Sequence, residues 1–172
     1  MKTAIRLIFA IAFAAGIFCS DNAAGKKDDG AAYITAVEVR ALVGSGHLVP
    51  AGRDAWRTRG GLLIAGRDPD GRTRLVHIMR HMQDEPGRPK HGVFSLAKAG
   101  VIELMDEAWK EVVAGNADSR ERAGRVAYTV RFRKKVGFLG GRVGRTRGYP
   151  ALRSARLVVI KGTNRVITFF PI

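Results

Sequence analysis

His77, His81 and His91 all fall within residues 74–94, RLVHIMRHMQDEPGRPKHGVF, and make up three of the four histidines in the chain. Histidine has an unperturbed pKa of about 6.5, so it takes or gives a proton near neutrality. His77 and His81 are four positions apart and on a helix would share one face. Asp84, Glu85 and Pro86 should stop such a helix, because the residue before a proline is pushed out of the αR region. Pro89 should then hold the chain extended and deliver Lys90 and His91 onto the apolar Gly92-Val93-Phe94. Two imidazoles with a cation nearby form a kit for general acid–base chemistry on a phosphodiester. The competing expectation is that these are ordinary surface or core histidines, since closeness in sequence is not geometry.

The elements around this stretch read as one domain behind a leader. Lys2 and Arg6 flank an apolar run over residues 7–18, and small residues follow at Ser20, Ala23 and Ala24. That pattern predicts a secretory signal peptide over residues 1–24, too short to act as a stop-transfer helix. The expected product is a secreted or periplasmic protein, without stable membrane insertion once the signal is cleaved. Cys19 is the only cysteine, so the cleaved chain would hold no disulfide and would depend on its core alone. Residues 25–172 suffice for one compact domain.

Along that domain, residues 31–43 suggest a short helix closed by Gly44 and Gly46. The fourth histidine, His47, has no chemical neighbour in sequence. Ala51-Gly-Arg-Asp and Ala65-Gly-Arg-Asp repeat the same four residues and read as two similar turns, far short of a solenoid. Leu62-Leu63-Ile64 reads as a strand, and Asp68-Pro69-Asp70-Gly71 as a turn. Val101, Leu104, Met105, Ala108, Trp109, Val112 and Val113 recur at three and four, predicting an amphipathic helix over residues 95–115. Its acids, Asp106 and Glu107 among them, read as a solvated face. Residues 116–122 read as a polar loop. Strands follow around 126–133, 136–141, 156–160 and 166–172, with residues 142–153 expected as a mobile loop. The fold class is α+β, with N-terminal helices packed on a C-terminal antiparallel β-sheet.

Charge points to the partner. The chain is formally +15, and residues 120–172 hold fourteen Lys and Arg against Glu121 alone. Such one-sided basicity is the footprint of a polyanion binder. No aromatic interleaving indicates a stacking platform. The histidines lack companion Cys or Asp at ligand spacing, so neither a metal nor another cofactor is expected. Gly140-Gly141-x-x-Gly144 is not expected to open a helix, which argues against a nucleotide loop.

The order His-Ile-x-x-His, Lys-His-x-x-Phe, an amphipathic helix with Asp-Glu-Ala-Trp, basic strands and a closing Val166-Ile-Thr-Phe-Phe-Pro171 resembles a known group. It resembles the C-terminal toxin domains of bacterial polymorphic and contact-dependent inhibition systems, most of all the EndoU-like ribonucleases of the barnase–EndoU–colicin–RelE group. The likeness covers residues 62–172. A bacterial group with an RNase A-like fold opens and closes similarly. Pro86-Gly-Arg-Pro-Lys90 replaces the glycine-rich segment usual in EndoU domains, and Phe170 stands where Tyr is frequent. The resemblance implies metal-independent RNA cleavage through the 2′-hydroxyl, with His81 and His91, or His77 and His91, as acid and base. It places the hydroxyl residue at Thr168 and a cognate immunity protein among the partners. Arg80, Lys90, Arg142, Arg145 and Arg147 are the candidate phosphate contacts. The expected layout is thus a signal over 1–24, an N-terminal extension over 25–60 and a ribonuclease-like domain over 61–172. An alternative of another class is a secreted basic binding protein for nucleic acid or envelope polyanions, without catalysis.

Overall fold

The computed structural model describes residues 33–172; the expected signal peptide, with Cys19, lies outside them. A capping box opens α1 (Ala36–Gly44): Thr35 accepts from the Glu38 amide, and the Glu38 carboxylate takes the Thr35 amide. Each bond satisfies a donor that the first helical turn leaves open. Leu42 anchors α1 in the core. A hairpin of β1 (Leu48–Gly52) and β2 (Ala55–Thr58) follows, then β3 (Leu63–Ala65).

Thr73 caps α2 (Arg74–Met79), which tightens into a 3₁₀ turn at Arg80–Met82 and ends where Gln83 becomes extended. After Pro89 the chain enters β4 (His91–Phe94). The long helix α3 (Lys98–Val113) buries Val101, Ile102, Leu104, Met105 and Ala108 and packs on β6 and β9. β5 (Asp118–Arg122) and β6 (Arg125–Arg131) come next, then β7 (Gly137–Gly140), α4 (Gly141–Thr146), β8 (Ala151–Leu152), β9 (Ser154–Ile160) and β10 (Arg165–Pro171).

Seven strands form one sheet in the order β1-β2-β3-β10-β9-β6-β5, and β4-β7-β8 form a second, small sheet. Every pairing is antiparallel except β10 with β3. The molecule is α+β, with its helices N-terminal to most strands. Residues 34–58 give β1 and β2 to this sheet, with α1 packed on β1, and Ile34, Leu42 and Leu48 belong to the same core cluster as Phe169 and Leu157.

Alternation assigns the two faces of the large sheet. Val166, Phe169, Leu157, Val159 and Val130 are buried on one face, the one that α3 covers at β6 and β9. Fully burying each such side chain contributes about 1.5–3 kcal/mol, and together they fix which face is inside. The opposite face carries Thr168, Phe170, Arg156, Val158, Ala127 and Thr129.

Three sequence expectations need correction. Residues 116–122 are no loop: β5 pairs with β6 along its whole length, although every residue in it is exposed. Ala123 and Gly124, at φ 49° and 71°, join the two strands, and positive φ at both central residues is the tight turn that hairpin twist prefers. Residues 142–153 are likewise structured, with α4 and β8 in place of a mobile loop. Gly140-Gly141-x-x-Gly144 does open a helix, but its first amides are already taken. Gly141 N–H donates to Asp84 Oδ1 at 2.7 Å, and the Arg142 and Val143 amides donate to the Arg88 and Pro89 carbonyls.

Candidate active site

β3 pairs with β10 only at Arg165 and Val166; α2 packs on both strands. Leu75, Ile78 and Met79 are buried in the core, which leaves Arg74, His77 and His81, spaced three and four apart, on the other side of the helical run. Arg74 Nη1 donates to the Ile167 carbonyl at 3.2 Å. Ile167 sits where the β9–β10 register shifts.

His77 donates from Nδ1 to Asp68 Oδ2 at 2.9 Å. Asp68 is buried, with 6 % relative exposure, and also accepts the Arg72 amide at 2.8 Å. Burial alone would raise its carboxyl pKa, but the hydrogen bonds from His77 and Arg72, with their charges, hold it below the usual value. This buried carboxylate fixes the His77 tautomer, so Nε2 is the nitrogen left to meet a substrate. The Asp68-Pro69-Asp70-Gly71 segment announces only a turn, and nothing in its spacing links Asp68 to His77.

His81 stands edge-on to His77, with ring centroids 6.3 Å apart. It is sandwiched between His91 at 4.8 Å and Phe170 at 5.2 Å, both stacked near parallel. Its Nδ1 donates to the Gly92 carbonyl at 3.1 Å. Burial is the main reason its pKa falls to about 3, with the charges of His91, His77 and Arg88 adding to the fall against the Gly92 hydrogen bond. His81 is therefore neutral at physiological pH, with its Nε2 lone pair unprotonated.

His91 is 3 % exposed and donates from Nε2 to the Gln83 carbonyl at 3.0 Å. Burial lowers its pKa as well. The stack brings His91 into contact with His81, but parallel rings this close leave no room for a phosphate between them.

Thr168 Oγ1 is, among the described residues, the buried side-chain oxygen or nitrogen without a hydrogen-bond partner. It shares the open sheet face with Phe170, which touches His81. A buried hydroxyl left unpaired costs about 1–3 kcal/mol. An orphaned hydroxyl of this kind is rare in folded chains, and this one lies on the sheet face that carries Phe170.

The expected phosphate contacts have different surroundings. Arg80 makes a two-pronged pair with Glu85, and Glu85 also takes Arg88. Its charge is thus met within the protein. Lys90 is exposed just before β4. Arg142 bonds the Gly87 carbonyl at 3.2 Å, so α4 sits against the loop leading to His91. Arg145 and Arg147 are exposed beyond it. His47 pairs with Glu103 at 2.9 Å, and Thr58 donates to Asp106.

Sequence reading gave Asp68 and Arg74 no role in the site and noted Phe170 only as a departure from the closing motif. Arg74 had a usable signal, lying one helical turn before His77. Among the described residues, no three of His, Cys, Asp and Glu converge as a metal-ligand set. No family model matches the chain, and neither a curated protein nor a solved structure is significantly similar to it.

Proposed function

We propose that this protein cleaves RNA by transphosphorylation, with His81 as general base and His77 as general acid. The observation that carries the reading is the Asp68–His77 pair set against neutral His81, beside the orphaned Thr168 hydroxyl. Hydrogen bonds of about 2.6–3.2 Å let two neighbouring Nε2 atoms reach two oxygens on one phosphorus. His81 Nε2 takes the 2′-hydroxyl proton, and the 2′-oxygen then attacks phosphorus. The P–O5′ bond breaks as His77, held by Asp68 through Nδ1, gives a proton from Nε2 to the leaving oxygen. The products are a 2′,3′-cyclic phosphate and a 5′-hydroxyl. An imidazole of pKa about 3 is a weak base, but a bound phosphodiester anion beside it raises that value. Arg74 and Thr168 hold the non-bridging oxygens as charge builds. His91 acts through His81, holding its ring in plane against Phe170. The sequence resemblance to EndoU-like toxin domains supports the same chemistry and implies action in a target-cell cytosol, restrained at home by an immunity protein.

The burial of His91 and its stacking on His81 favour a second reading, in which the histidines are structural and the protein only binds polyanions. Incubating the full chain with RNA in excess EDTA separates the two. Cleavage lost in both His77→Ala and His81→Ala, with RNA binding kept, supports catalysis. Folded wild-type protein that binds RNA without cutting it leaves the binding reading.

A further inference from the structure

Cross-strand partners on the open face form a row that leads away from the histidines. Thr168 faces Val158 across β10–β9, Val158 faces Ala127 across β9–β6, and Ala127 faces Arg120 across β6–β5. The next row is Ile160, Arg125 and Arg122. On the other flank lie Phe170, Arg156, Thr129 and Asp118. Val158 and Ala127 thus form a small-residue floor, with Arg120 at its far end and Arg122 and Arg125 along one bank. A groove of about 380 Å³ occupies this ground, lined by Arg120, Arg122, Ala123, Arg125, Ala127 and Val158.

The cations here are not neutralised from within. Lys161 takes Glu121, which projects to the other face. Among the described residues no ion pair engages Arg120, Arg122 or Arg125, and Asp118 is the carboxylate on the flanking row. Arg74 connects the groove to the site: burial lowers its pKa first, and the nearby charges of Arg125 and Arg165 lower it further, against Asp68. A run of unmet positive charge over a small-residue floor suits a chain of phosphates. No aromatic side chain lines the groove, so it offers no stacking platform and its reading of sequence is tolerant.

We propose that this groove is an extended subsite for the RNA strand, holding phosphates beyond the one being cut. Three strand spacings of about 4.8 Å put Arg120 roughly 14 Å from Thr168, a length that more than one nucleotide must span. The proposed substrate is therefore a polynucleotide, and a dinucleotide fills only the histidine end. This rests on the ribonuclease reading, and the test distinguishes failure of either.

Cleavage of a dinucleotide and of a longer single-stranded oligoribonucleotide is compared in wild type and in Arg120→Ala/Arg122→Ala. Circular dichroism checks folding, and because both arginines are exposed on an edge strand the fold is expected to persist. Binding of an uncleavable 2′-deoxy oligonucleotide of the longer length is followed by fluorescence anisotropy against salt. The expected result is a wild-type kcat/KM at least tenfold higher for the longer substrate. The double variant loses most of that advantage through KM, and its binding has a log–log salt slope shallower by about 1.4. Equal loss on both substrates, or an unchanged salt slope, overturns the groove. If wild type cuts neither substrate while the double variant still lowers the salt slope, the groove stands and the catalytic reading falls.

Discussion

In the proposed mechanism the Asp68–His77 pair sets which proton moves. Asp68→Asn keeps an oxygen for the Arg72 amide but turns the other atom into a donor towards His77 Nδ1. That reverses the tautomer and removes the counter-charge of the imidazolium. The expected loss in kcat is about 10²-fold or more with KM little changed, read by steady-state kinetics on an oligonucleotide. A fall in KM-related binding alone would assign the pair to binding. The same scale sets a pH dependence of stability. His81, lowered to about 3, and His91, lowered for the same reason of burial, bind fewer protons folded than unfolded. Their contribution is therefore full above the unfolded value of about 6.5 and is lost as pH falls towards the folded values. Urea midpoints should drop between pH 6.5 and 4, and His81→Gln should flatten that slope by up to about 1.4 kcal/mol per pH unit. A parallel pH curve in the variant would contradict the assigned burial.

Among the elements, the crossing of β4 over the end of β10 holds the histidine stack together. A Cβ at Gly92 would run into the Pro171 carbonyl, and the Gly92 carbonyl holds His81. Gly92→Ala should cost about 1–3 kcal/mol by chemical denaturation. It should also lower kcat by displacing His81. Full stability and activity would mean that the strands can separate without consequence. The elements that sequence reading captured are those with a strong local pattern: α3 from its three-and-four apolar spacing, β6 from alternation, and the His77–His81 face from a four-residue interval. The rest depends on partners distant in sequence. Asp118-Ser-Arg-Glu-Arg122 has no apolar alternation because β5 is an exposed edge, specified by its pairing with β6 alone. Residues 141–146 are poor helix formers, with glycine at two of six positions, yet the Asp84 carboxylate and the Arg88 and Pro89 carbonyls cap them into α4. Of the candidate site, the sequence pointed to the three histidines that the fold brings together, whereas Asp68 and Phe170 reach them through tertiary packing.

On the scale of the whole molecule, the excess charge should govern affinity and the histidine cluster should govern chemistry. Replacing Arg142, Arg145 and Arg147 together should raise KM and make RNA binding less salt-sensitive, with kcat at saturating RNA retained. A large fall in kcat would instead place one of them at the phosphorus. Expression without residues 1–24 should arrest growth of a bacterial cytosol, and His81→Ala should relieve the arrest. Unimpaired growth with soluble wild-type protein would count against a toxin. The 2′-hydroxyl offers the most direct test of the mechanism. The full chain is incubated in EDTA with an oligoribonucleotide and with a copy carrying 2′-deoxy sugar at the cut position, and the product ends are identified by mass spectrometry. The expected outcome is cleavage of the first to 2′,3′-cyclic phosphate and 5′-hydroxyl ends, and no cleavage of the second at that position. Cutting of the 2′-deoxy position, or 5′-phosphate ends from the first substrate, would contradict the acid–base pair of His77 and His81.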